Sequence, residues 1–215
     1  MILVLFGPPG SGKGTQAEML EEREGYYHLS TGEILREAMK KNTDLGEKAG
    51  KYVEEGALVP DEVIIGMVKE KIASLIKEID QFLFDGFPRN LKQVHQFEDF
   101  LSEFSFSEYR VISLDVSEEE IMKRILGRRL CKNCGKNYNV NFNPPKQPGV
   151  CDECGGEVVK RPDDNEETVK ERLRVYNEQT RPVLEYFSRK GVLITVPGEG
   201  NVKEIYDAII RGLKE

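Results

Sequence analysis

The segment Gly7-Pro8-Pro9-Gly10-Ser11-Gly12-Lys13-Gly14-Thr15 decides how this chain folds. It follows a short apolar run, Ile2 to Phe6, which reads as a buried parallel strand. It precedes a stretch of helix formers in which Ala17 and Leu20 are spaced for an inward face. Strand, glycine-rich loop and helix start together form a phosphate cradle. Glycines free backbone N–H groups to converge on one anion, the helix N-terminus adds positive potential, and Lys13 adds a full charge. One residue departs from the general pattern: Gly14 stands where Ser or Thr ordinarily places a hydroxyl on magnesium.

Working outward, apolar runs alternate with helical patterns. Tyr26 to Leu29, Phe82 to Phe84, Arg110 to Leu114 and Val192 to Val196 read as further strands. Helices are expected from Thr31 to about Lys41, Asp44 to Glu55, Asp61 to about Ile79, Asn90 to about Glu103 and Glu118 to Gly127. Two more run from near Asn165, with a kink at Pro182, and from Val202 to Leu213. Ser30 with Glu33, and Ser117 with Glu120, have capping-box spacing. The alternation implies an α/β fold, a five-stranded parallel sheet with helices on both faces. Ligands in such folds bind at the carboxyl ends of the strands, so Asp85, at the end of its strand, shares a site with the glycine loop.

Residues 127–164 change character. Pro144, Pro145, Pro148 and all four cysteines lie here, as Cys131-x2-Cys134 and Cys151-x2-Cys154. Two such knuckles give the four-sulfur tetrahedron favoured by zinc, with iron second and disulfides or free thiols as the alternatives. With all four positions filled by protein, the ion would serve folding rather than catalysis. His28 and His95 are far from the knuckles in sequence, and packing or surface roles are expected for both.

The chain has 215 residues, 32% of them charged, and a net charge of −7. That balance argues against a generic nucleic-acid surface, so any bound anion must be met by locally focused arginines. No apolar run approaches the ~20 residues that span a bilayer, and a cytoplasmic protein is expected.

The motifs together resemble those of adenylate kinase, in the long bacterial form whose lid carries zinc. They are the glycine loop through Ala17, Leu29-Ser30-Thr31-Gly32-Glu33 with Arg36, Asp85-Gly86-Phe87-Pro88-Arg89 with Gln93, Gly127-Arg128-Arg129, and Arg161-Pro162-Asp163-Asp164 with Arg172. The likeness runs end to end, and Gly14 fits that family's own pattern. It implies a P-loop nucleotide kinase converting ATP and AMP to two ADP, with Mg2+ on the ATP, structural Zn2+, and a monomeric state. It divides the chain into a core (1–29, 60–126, 165–215), an AMP-binding helical insert (30–59) and a zinc-binding lid (127–164).

By the same resemblance, Gly10, Ser11, Gly12, Lys13, Gly14 and Thr15 would cradle the ATP phosphates, and Asn137, Tyr138 and Gly200 would also meet ATP. Thr31, Arg36, Ala57, Leu58, Val59, Gly86, Phe87, Pro88, Arg89 and Gln93 would hold AMP. Asp85 would orient magnesium through water. Lys13, Arg89, Arg124, Arg128, Arg161 and Arg172 would act on the transferring phosphoryl group, with Arg124 and Arg128 also on ATP, and Arg161 and Arg172 also on AMP. Asn90 stands where threonine is expected, and Asn137 where threonine or serine is common. A kinase for UMP or GMP would share most of the machinery. A zinc-ribbon nucleic-acid binder with an ATP switch is the reading from another class.

Overall fold

The computed structural model describes residues 1–41, 44–106 and 108–215. Its centre is a parallel five-stranded sheet in the order β2-β3-β1-β4-β8. The strands are β1 (Ile2–Phe6), β2 (Tyr27–Ser30), β3 (Phe82–Asp85), β4 (Tyr109–Asp115) and β8 (Leu193–Pro197). Strand β1 is central, and all five of its residues are buried. Period-two alternation divides it between two cores. Ile2, Val4 and Phe6 face a cluster containing Phe82, Phe84, Phe97 and Phe187, whereas Leu3 and Leu5 face one containing Ala17, Leu20, Tyr206 and Ile209.

Helices cover both faces. In chain order they are α1 (Lys13–Glu24), α2 (Thr31–Lys40), α3 (Asp44–Glu55), α4 (Asp61–Leu75), α5 (Leu91–Glu103) and α6 (Glu118–Gly127). After them come α7 (Glu166–Val175), α8 (Arg181–Arg189) and α9 (Val202–Lys214). The sequence after β1 returns on one side of it through β2 and β3, and on the other through β4. The glycine loop therefore sits where strand order reverses, the crevice in which such sheets bind ligands.

Several local expectations are corrected. Helix α4 ends at Leu75, and Ile79 packs on the core from the turn that follows. Strand β2 starts at Tyr27 and extends to Ser30. At the expected kink, Pro182 lies in the first turn of α8, preceded by a π-helical segment, Tyr176–Thr180. Proline has no N–H for an i−4 carbonyl, and a wider turn before it accommodates that loss.

Ser30 caps α2 as expected, its hydroxyl accepting from the Glu33 N–H at 3.4 Å. Ser117 makes no such cap. Its backbone N–H donates instead to Glu199 Oε1 at 2.8 Å, and Glu120 turns to Arg124. The long-range carboxylate and the neighbouring guanidinium outcompete the local box.

The proline- and cysteine-rich segment forms its own antiparallel sheet, β6-β5-β7, from β5 (Arg128–Cys131), β6 (Asn137–Asn139) and β7 (Val158–Val159). Its small core is Cys131, Tyr138, Cys151 and Val158. Among the described residues no helix is long and apolar enough to cross a membrane.

Candidate active site

The carboxyl ends of β1, β2 and β3 open into a cleft of about 800 Å³. The glycine loop forms one wall. Gly10 has φ +79°, and a Cβ there would lie 2.5 Å from Ile125 Cγ1, so only glycine lets the loop pass beneath α6. Gly12, also left-handed, caps α1 and leaves the helix's first N–H groups turned towards the cleft. Lys13 folds back over the loop, donating to the carbonyls of Gly7 (2.8 Å) and Pro8 (2.9 Å). Burial pushes its ammonium down to about 8; Asp85 opposes that shift, and Arg89 and Arg128 add to it.

The opposite wall is built on β2, β3 and the turn after β3. Thr31 Oγ1 donates to the Gly86 carbonyl at 3.0 Å, and Arg89 Nε donates to the same oxygen at 2.7 Å. A Cβ on Gly86 would collide with both side chains, at 2.7 Å. Asp85 carries its carboxylate at the end of β3, with His28 Nε2 3.8 Å away. Burial works against charge on Asp85, but His28 and Lys13 hold it below the usual carboxylate range. His28 therefore belongs to the charged centre, where the sequence suggested ordinary packing. His95 does pack, edge-on to Tyr186 at 5.7 Å.

The remaining cations arrive from α2, α6, the small sheet with the residues that follow it, and α7. Arg124 spans α6 to the loop, donating to the carbonyls of Ser11 (3.2 Å) and Gly198 (2.9 Å) and pairing with Glu120 at 2.8 Å. Arg128 Nε donates to Asp164 Oδ2 at 2.7 Å, and Arg172 pairs with Asp163. Arg161 Nη2 donates to Asn137 Oδ1 at 3.0 Å, while its Nε is buried without a partner. Burial comes first in pushing Arg36, Arg89 and Arg161 down, and neighbouring guanidinium groups push the same way. Lys13 and these six arginines line the cleft; among the described lining residues the acids are Glu33, Asp85 and Glu120, with Asp163 and Asp164 behind Arg172 and Arg128. Such a cluster is relieved by a polyanion, which guanidinium forks fit well.

Most of the sequence-derived residues meet here. The glycine loop, Thr31, Arg36, Ala57 to Val59, Asp85, Gly86, Pro88, Arg89, Gln93, Asn137, Tyr138 and Gly200 all line the cleft with the arginines. Phe87 does not. It is buried against Phe84 and Phe97, because a large ring beside β3 gains more from the core than from a charged crevice. Tyr138 reaches the cleft, but its hydroxyl lies 3.3 Å from Cys151 Sγ and accepts from the Asp152 N–H at 2.8 Å.

Motif reading assigned no role to Asp163 or Asp164. Asp164 is wholly buried and anchors Arg128 through both its oxygens. Its place inside the Arg161-Pro162-Asp163-Asp164 motif is a visible signal. Asn139, also unassigned, donates to the Arg124 carbonyl at 2.8 Å and joins the end of α6 to the small sheet.

In that sheet the four cysteine sulfurs all lie within 4.8 Å of one another. Cys131 and Cys154 are 3.5 Å apart, and Cys134 and Cys151 are 3.6 Å apart. A disulfide would bring sulfurs to about 2.05 Å, whereas four sulfurs about 2.3 Å from one zinc ion are about 3.8 Å apart. Both knuckles close alike: Gly135 N–H donates to Cys131 O at 3.1 Å, and Gly155 N–H to Cys151 O at 2.9 Å. Thiolates at these separations repel one another until a cation joins them, so the set fits a metal ion.

The description "Adenylate kinase" belongs to the family model that matches residues 5–192. Full-length similarity extends to named relatives. An adenylate kinase of Archaeoglobus fulgidus is 48% identical over 218 aligned residues, covering 100% of both chains. One from Methanothrix thermoacetophila is 44% identical, covering 100% of this chain and 99% of its own. One from Bacillus licheniformis is 47% identical, covering 96% and 94% respectively.

Two outcomes follow from this geometry. Purified protein should contain one metal ion per chain, and stripping it under mild denaturant should lower the melting temperature by at least about 5 °C, roughly 2 kcal/mol for a chain of this size. Elemental analysis and calorimetry check this; a metal content far from one, or an unmoved melting temperature, contradicts it. Asp164→Asn should cost about 3 kcal/mol in denaturant titration, the low end for breaking a buried ion pair, because Arg128 keeps some contact with solvent.

Proposed function

This chain belongs to the adenylate kinase family, and on that footing we propose that it transfers a phosphoryl group reversibly from Mg-ATP to AMP, giving two ADP. The observation that carries the reading is the convergence of Lys13 and six arginines on one cleft with two walls. One wall, the glycine loop with Lys13 and Arg124, suits the donor's phosphate chain. The other, with Thr31, Arg36, Gly86 and Arg89, suits an acceptor monophosphate. Arg128, Arg161 and Arg172 come from the segments between them and suit the group in transit.

The acceptor is a phosphate oxygen that is already anionic near neutral pH, so its attack requires no general base. Neither histidine is assigned one. What remains is alignment, charge neutralisation and exclusion of water. Arg89, tied to the Gly86 carbonyl through Nε, keeps its other nitrogens for the acceptor phosphate. Arg161, with a buried N–H unspent, points the same chemistry at the transferring oxygens. The magnesium carried by ATP would lie near Asp85 and offset charge on the outer phosphates.

The insert 30–59 and the segment 127–164 act as lids on the core formed by 1–29, 60–126 and 165–215. Support for the second lid comes from its separate sheet and its own small core. The four cysteines hold structural zinc, whose chemistry there is to tie the two knuckles into one rigid body. Four unpaired thiols also suit a reducing, cytoplasmic setting. We take the protein to work as a monomer.

The test is to mix protein and Mg-ATP with AMP, UMP or GMP in turn and follow ADP. Rapid ADP formation with AMP is expected, and turnover with UMP but not AMP would overturn the reading. Arg89→Ala should lower kcat by about 10²–10³ without changing the melting curve. A near-normal rate would show the acceptor is held elsewhere.

Lys13 generates a pH dependence. In the free protein its charge fades as pH rises through about 8. Bound phosphates raise its pKa, so above that pH binding takes up a proton, and affinity falls by up to about tenfold per pH unit. ATP Kd should be flat below pH 7.5 and weaken about fivefold between pH 8 and 9. A Kd flat to pH 9.5 would contradict this.

A further inference from the structure

Gln93 sits in the first turn of α5, 2% exposed, and lines the cleft. Its side-chain amide has a partner at each end. Nε2 donates to Asp61 Oδ1 at 2.8 Å, and Oε1 accepts the Arg89 backbone N–H at 2.7 Å. Asp61 is the first residue of α4, and the same oxygen also accepts Asn90 Nδ2 at 2.9 Å. Its other oxygen lies 3.5 Å from Lys92 Nζ. Although burial opposes it, hydrogen bonds from Asn90 and Gln93 and the Lys92 charge hold this carboxyl below its usual range, so it is ionised at neutral pH.

An ionised carboxylate only accepts, and a backbone N–H only donates. Turning the Gln93 amide over would set Nε2 against the Arg89 N–H and Oε1 against the carboxylate. One orientation is therefore enforced from both sides. In that orientation one N–H and one oxygen lone pair of the amide are unspent.

We propose that Asp61 is a specificity-determining positioning residue: by fixing the Gln93 amide, it makes the acceptor pocket accept a 6-aminopurine and reject a 6-oxopurine. The proposal rests on the reading above that this wall holds AMP. Adenine offers an acceptor at N1 beside a donor at its 6-amino group. An amide can meet both at once, Nε2–H donating to N1 and Oε1 accepting from the amino group. Hypoxanthine and guanine reverse the pair, with an acceptor at O6 and a donor at N1. A glutamine free to turn over would serve either base, so the residue type alone does not select. The carboxylate and the Arg89 N–H behind it do, because a 6-oxopurine would leave buried polar groups facing like polarity, a mismatch that enzymes reject strongly. Asn90, the residue found where threonine is expected, takes part through both ends of its own amide. Its Oδ1 caps α5 by accepting the Gln93 N–H at 2.8 Å while its Nδ2 holds Asp61.

The test compares AMP with IMP, which differ only at this edge, as acceptors for Asp61→Asn. An asparagine can set a donor against Oε1 at that position, which removes the carboxylate's half of the constraint and leaves the Arg89 N–H alone to oppose turning Gln93 over. The AMP:IMP ratio of kcat/KM should fall at least about tenfold, through a higher KM for AMP and a gained rate with IMP, while kcat with AMP stays within about threefold. The ratio does not depend on the fraction of folded enzyme. Should Asp61→Asn prove insoluble, Asp61→Ser makes the same test, since a hydroxyl also donates and accepts. Gln93→Leu is measured beside it. If Gln93→Leu leaves the ratio unchanged, the base is not read at this wall and the assignment of the AMP pocket falls. If Gln93→Leu collapses the ratio but the Asp61 variant keeps it within twofold of the parent, the clamp is overturned.

Discussion

Charge repulsion among buried cations is the constraint on which this site depends. Lys13, Arg36, Arg89, Arg124, Arg128, Arg161 and Arg172 line one cleft, in a chain whose net charge is −7. Gathering them costs free energy that neither burial nor net charge offsets. The structure meets the cost in two ways. Some cations lean on carboxylates and carbonyls: Arg128 on Asp164, Arg172 on Asp163, Arg124 on Glu120 and two loop carbonyls. Arg161 instead keeps a buried Nε–H without a partner. Such a group is where a polyphosphate would gain most, since it would satisfy the donor and lower repulsion in one event.

The fold makes this arrangement possible by separating support from contact. Strand β1 is buried on both faces and fixes the glycine loop, while the cations arrive from α2, the turn after β3, α6, the small sheet and α7. The small sheet could not hold its place by burial alone, because its core is four residues. The cysteine tetrad compensates, with the two knuckles closing by the same glycine N–H to cysteine carbonyl bond. Arg128 and Asn137, on β5 and β6 of this sheet, pair with Asp164 and Arg161, 36 and 24 residues further along the chain. The cysteine tetrad, the small sheet and the cleft-lining arginines thus form one mechanical unit.

Residues that broke the expected pattern proved informative in different ways. A Cβ on Gly14 would meet nothing within 4 Å, so no protein neighbour demands glycine there. Asn90 caps α5 as threonine could, and adds an amide donor that threonine lacks. Phe87 lies inside a motif whose other members line the cleft, yet its ring belongs to the core. A motif marks a stretch of chain, and the direction of each side chain within it is settled by what lies on either side.

The amino-acid sequence by itself determined the parallel sheet, the glycine loop and the two knuckles, and its family resemblance named cleft residues of which all but Phe87 line the cleft. The sheet, the loop and the knuckles rest on short spacings. A loop of nine residues or a Cys-x2-Cys turn closes within its own span, and strand and helix periods are local. The tertiary structure decided the pairings. His28 beside Asp85, Asp164 beneath Arg128, Glu199 displacing the Ser117 cap, and Asp61 gripping Gln93 each join elements separated by tens of residues. Such contacts depend on how whole strands and helices pack, and no local pattern encodes the distance between two side chains that meet only because a sheet and its helices have closed around them.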